Sequence, residues 1–123
     1  MFFSHIMLGA NDVQASKRFY DAILGALGHA PGVMDGKGRC LYRNESGVLM
    51  ITLPLNGQPA TGANGGTVGF AAASKEAIDA WHKAGVENGG TSCEDPPGMR
   101  AIGLYLAYLR DPAGNKLCAV HKP

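Results

Sequence analysis

The chain repeats itself. Residues 5–28, HIMLGANDVQASKRFYDAILGALG, lie over residues 67–90, TVGFAAASKEAIDAWHKAGVENGG, without a gap at an offset of 62. Ile6 then meets Val68, Leu8 meets Phe70, Ala10 meets Ala72, Phe19 meets Trp81, Ala22 meets Ala84 and Gly28 meets Gly90. Each stretch has the same pattern: a short alternating strand, a polar turn, then an amphipathic helix closed by glycine. Val13, Phe19, Ile23 and Leu24 supply the apolar face of the first helix, and Ala77, Ile78 and Trp81 that of the second. The ends of the halves match too. RNESGVLMITL, from Arg43, falls on RDPAGNKLCAV, from Arg110, at an offset of 67. Both segments predict strand–turn–strand hairpins.

A duplicated unit of strand, helix and two or three further strands points to an α+β architecture of two matching modules. Module one covers about residues 1–57 and module two about residues 67–123, joined by a Gly, Pro, Ala and Asn-rich linker at about residues 58–66. A half of roughly 60 residues is marginal on its own, so the halves are expected to pack together or exchange across a dimer. Eighteen glycines, about twice ordinary usage, fit many tight turns between short elements. The whole is one domain: 123 residues, 46% hydrophobic and 17% charged, make a single core and not a disordered tail.

Composition excludes several functions. Eleven basic residues against ten acidic ones, a formal net charge of +1, give no electrostatic footprint for nucleic acid or an anionic membrane. Cys40, Cys93 and Cys118 are odd in number and lack CxxC spacing, which argues against a disulfide scaffold or zinc knuckle and for a reducing cytoplasm. The opening MFFSHIMLGANDV has no basic segment and no long apolar run, so no signal peptide is expected. The longest apolar run, from Ile102 to Leu109, is too short for a transmembrane helix. No GxGxxG, P-loop, nucleophile elbow or HExxH occurs.

The duplicated unit, the segment FYDAILGALG (residues 19–28) and the segment RDPAGNKLCAV (residues 110–120) resemble the vicinal oxygen chelate superfamily. That group includes glyoxalase I, bleomycin- and fosfomycin-resistance proteins and extradiol dioxygenases. The resemblance runs from His5 to Val120. It implies paired βαβββ modules forming a cupped mixed sheet, and commonly a homodimer. It also implies one divalent metal at the base of the cup, held from the first and last strands of each module. The two offsets carry those positions to His5 and Thr67 on the first strands, and to Ile51 and Cys118 on the last. Only His5 keeps the expected ligand type. Moving the last-strand register by one would offer Met50 and Leu117, which are no better. A catalytic metal needs about three protein ligands, and hard cations favour carboxylate oxygen. No metal or other cofactor is therefore expected.

Alternation along the strands sends His5, Met7, Thr67 and Gly69 into the cup if Ile6, Leu8, Val68 and Phe70 face the helices; Ile51 and Cys118 are expected inward as well. Tyr105 and Arg100 complete the expected ligand-binding set, one offering a hydroxyl and the other a cation beside the loop Glu94–Met99. The bland alternatives are a neutral core histidine at His5, an inert buried thiol at Cys118, a core-filling Tyr105 and a solvated loop Arg100. Asp111-Pro112 and Gly114-Asn115 fit turn chemistry. Function is expected to be metal-independent binding of a small organic molecule in the cup. The other reading is a glyoxalase-type lyase, isomerase or thiol transferase with His5 in its site.

Overall fold

A computed structural model describes residues 2–123. The first copy of the repeat forms β1 (His5–Gly9), α1 (Val13–Ala26), β2 (Val33–Met34), β3 (Cys40–Asn44) and β4 (Gly47–Thr52). The second forms β5 (Val68–Ala71), α2 (Lys75–Glu87), β6 (Thr91–Ser92), β7 (Gly98–Met99), β8 (Tyr105–Arg110) and β9 (Lys116–His121). The architecture is α+β. One mixed sheet runs β1-β4-β3-β2, and the other runs β5-β9-β8-β6 with β7 also on β8. In both, the first strand pairs in parallel with the last and the other pairings are antiparallel. As two βαβββ modules require, each copy contributes one mixed sheet. Each first strand finds its hydrogen-bond partner within its own copy, which leaves β1 and β5 both as edges.

Short sequence signals set these elements. Asp12 caps α1 by accepting the Ala15 N–H at 3.1 Å, and Ser74 caps α2 by accepting the Ala77 N–H at 3.1 Å. At the other ends, Gly28 (φ +93°) and Gly89 (φ +97°) take the left-handed conformation that reverses the chain, with His29 N–H bonding Leu24 O and Gly90 N–H bonding Gly85 O. The counterpart of Gly28 is therefore Gly89 and not Gly90, because α2 is one residue shorter than α1. Gly90 serves packing instead: a Cβ there would overlap the Phe19 ring. β6 and β7 line the same edge of β8 and act as one interrupted strand. Pro96 and Pro97 between them have no N–H for the ladder, and Glu94 turns the chain at φ +57°.

The hairpins differ by one residue as well. Four residues separate the paired Arg43 and Val48, whereas five separate the paired Arg110 and Lys116. The repeat offset is thus 67 before the turn and 68 after it.

One hydrophobic core spans both copies. Phe19, Tyr20, Ile23, Ile51, Ile78, Trp81, Leu109 and Leu117 are all fully buried within it. Two polar ties join the halves through the second hairpin. The Tyr20 hydroxyl donates to Asp111 at 2.6 Å, and Asn115 Nδ2 donates to the Gly9 carbonyl at 2.8 Å. No helix among the described residues is long and apolar enough to cross a membrane.

Candidate functional site: a cavity between the first strands

Register decides which side chains face away from the core. β1 pairs His5 with Val48, Ile6 with Leu49, Met7 with Met50 and Leu8 with Ile51. Cross-strand partners share a face. Ile6, Leu8, Leu49 and Ile51 belong to the core, so His5, Met7, Val48 and Met50 occupy the open face. Ile51 does not point into a cup: it is buried on the helix side, because the shorter first hairpin shifts its strand by one position. The residue equivalent to Cys118 is Met50, as Gly69 pairs with Cys118 just as Met7 pairs with Met50.

Tyr105 also lies on the other side from its expected place. It shares a face with Ala107 and Leu109, and its hydroxyl donates to Asp79 on α2 at 2.6 Å. That hydrogen bond comes first among the causes that raise its pKa. The open-face tyrosine of β8 is Tyr108, opposite Cys118, with Lys116 Nζ 4.9 Å from its ring centroid. Burial comes first in raising the Cys118 thiol, against the lowering pull of Tyr108, Arg100 and Lys116. Such a thiol is protonated at neutral pH and is a poor nucleophile. Lys116 is paired with Glu94. Arg100 turns back on its own loop, donating to the carbonyls of Gly98 and Asp95, each at 3.1 Å. Thr67 is exposed immediately before β5.

A cavity of about 430 Å³ opens beside the start of β1, between the β3–β4 turn and the edge of β5. Of the seven residues expected in the site, only His5 lines it. His5 is exposed, so it is not the core histidine of the bland alternative. Its Nδ1 lies 2.8 Å from Ser4 Oγ, and among the described residues Nε2 has no hydrogen-bond partner. His29, Arg43, Val48, Leu24 and Phe70 share the lining. Arg43 appears in the repeat as the match of Arg110, and that match carried no hint of a cavity. His29 is placed by the helix-ending turn at Gly28, which reads in sequence as punctuation only.

A family model of the "Glyoxalase/Bleomycin resistance protein/Dioxygenase superfamily" matches residues 2–119. The chain belongs to this superfamily. Among solved structures, a glyoxalase/bleomycin resistance protein from Albidiferax ferrireducens T118 is 59% identical, with a TM-score of 0.94 and full coverage of both chains. A glyoxalase-related enzyme from Fulvimarina pelagi is 22% identical, with a TM-score of 0.78 over 96% of this chain and 86% of that one. A lactoylglutathione lyase from Agrobacterium tumefaciens is 24% identical, with a TM-score of 0.65 over 96% of this chain and 91% of that one. The last two likenesses show the fold alone. No curated protein matches the chain.

The divalent metal implied by the superfamily resemblance does not fit these donors. With the register corrected, the four positions hold His5, Met50, Thr67 and Cys118. They offer one imidazole, one thioether, one neutral hydroxyl and one protonated thiol, and no carboxylate to offset a hard cation. Among the described residues, no three His, Cys, Asp or Glu side chains gather as a ligand group.

Proposed function

We propose that this superfamily member binds a small organic molecule in the cavity between β1 and β5, without a divalent metal. The carrying observation is the donor set at the four family positions, where Met50 and Thr67 stand in place of charged ligands. The cavity supports the same reading. Its volume lies within the range of roughly 300–1,000 Å³ common to ligand pockets, and its walls mix apolar side chains with a few polar ones. Three free cysteines support a reducing, cytoplasmic setting.

A homodimer completes the proposal. Val33, Leu41, Met50 and Met7 are successive partners across all four strands of the first sheet, forming an apolar row on its open face. Val33 and Met7 at its ends are exposed. A second copy is the partner that the superfamily resemblance implies, and such a row suits a two-fold interface.

The deciding experiment is metal content, measured on protein purified without a metal-affinity tag, before and after incubation with Ni²⁺, Zn²⁺, Mn²⁺ and Fe²⁺. The expected result is less than a tenth of an equivalent of each ion after desalting. Near-stoichiometric metal that disappears in His5→Ala overturns the proposal and favours a glyoxalase-type enzyme.

A further inference from the structure

The cavity is lined by one fixed cation, Arg43, and by no anion. Its lining includes Arg43, His5 and His29 but no Asp or Glu. Among the described residues the salt bridges are Lys17–Asp21, Arg39–Asp35 and Lys116–Glu94, none of which involves Arg43. Its counterpart in the second copy behaves differently. Arg110 directs Nη1 to the Gly114 carbonyl at 2.8 Å and closes its own hairpin. The first hairpin is one residue tighter, and its turn is held by Asn44, whose Oδ1 accepts from the Ser46 N–H and hydroxyl. Arg43 is left without that duty.

We propose that the ligand of this cavity is an amphipathic organic monoanion. Its apolar body lies against Leu24, Val48 and Phe70, and its oxyanion meets the Arg43 guanidinium. The inference rests on the cavity being the binding site. A planar guanidinium matches a carboxylate through two parallel N–H donors. His5 lines the same cavity and can add a polar contact. A cationic ligand would meet Arg43 with no carboxylate in the lining to compensate it, so the site discriminates by repulsion as well as attraction.

The test uses three probes with one body: phenylbutyrate, phenylbutanol and phenylbutylamine, each titrated calorimetrically into the intact protein. Phenylbutyrate is expected to bind about tenfold tighter than the alcohol, as befits one charge-assisted contact at a partly exposed site, and the amine weakest. Arg43→Gln should bring phenylbutyrate to the level of the alcohol and leave the alcohol unchanged. Arg43 is exposed, so this variant keeps its fold, checked by circular dichroism. Gly69→Leu should weaken all three probes together. Gly69 lines the cavity, its φ is not positive, and an added Cβ meets no atom within 4 Å. Binding that Gly69→Leu reduces but that ignores charge, or survives Arg43→Gln undiminished, overturns the anion inference and keeps the cavity. Failure of all three probes, or binding untouched by Gly69→Leu, overturns the cavity reading and the inference with it.

Discussion

Asp111 is only 4% exposed, and its carboxylate is fully used. Oδ1 accepts the N–H groups of Ala113 and Asn115, each at 2.9 Å, while Oδ2 accepts Asn115 Nδ2 at 2.8 Å and the Tyr20 hydroxyl at 2.6 Å. Three of these bonds build the turn; the fourth reaches across to α1. Removing that donor leaves a buried acceptor short of one partner, a cost of about 1–3 kcal/mol. Tyr20→Phe should therefore lower the urea midpoint without changing the slope of the transition. Alkali should act on the same residue. Burial, with Asp111 beside it, pushes the Tyr20 hydroxyl well up; burial comes first for Tyr42 and for the Cys40 thiol too. Above pH 9–10 the unfolded chain releases these protons while the native chain keeps them, so stability falls as pH rises. Each group contributes a slope of about 1.4 kcal/mol per pH unit, which begins above its unfolded pKa. Urea unfolding from pH 8 to 11 should show this decline, less steep in Tyr20→Phe. A flat profile would contradict the burial of these hydroxyls.

At the level of elements, Gly85 brings the helices and the second sheet together. It lies inside α2, where propensity alone favours alanine by about 1 kcal/mol. Yet a Cβ at Gly85 would overlap Leu109 Cδ1 and crowd Phe19 and Ile23 of α1. Overpacking at such a contact costs about 1–3 kcal/mol, so packing outweighs propensity. Gly85→Ala should destabilise the protein in thermal melts, whereas Gly25→Ala, with open space around its Cβ, should not. The elements themselves were legible in sequence because helix and strand periods differ and the repeat presents each one twice. The helices' apolar faces and the hairpins are visible in this way, whereas the capping side chains Asp12 and Ser74 are not singled out by it. The single-residue differences between copies were not, since a shorter α2 and a longer second hairpin leave the apolar pattern matching at a constant offset. One position is enough to reverse a side chain's face. That is why Ile51 belongs to the core and Met50 stands opposite Met7; in the second hairpin the same alternation sets Tyr108 opposite Cys118 and turns Tyr105 to the helix side. The cavity was hidden for another reason: its walls come from β1, the end of α1, the β3–β4 turn and β5, and no sequence spacing relates those four segments.

For the whole molecule, the two copies bury their helix-side faces in one core and leave much of their open faces bare. Leu106 and Cys118 on the second sheet are buried yet lie outside that core. The first sheet has less. Met7 is 45% exposed and Val33 69% exposed at the two ends of its apolar row. Leu53 and Leu55 are exposed just beyond β4. Contiguous apolar surface of this kind favours association, and a row on one sheet face meets its own symmetry mate without leaving an open-ended assembly. Light scattering coupled to size exclusion should give a mass about twice 12.8 kDa at micromolar concentration. The double variant Met7→Glu/Val33→Glu places four like charges across a two-fold interface and should elute as a monomer with its far-ultraviolet spectrum intact. A wild-type monomer at all concentrations would refute the dimer. A dimer that survives the double variant would move the interface elsewhere, with the exposed Met99 and Ile102 beside the second sheet as the next surface to charge.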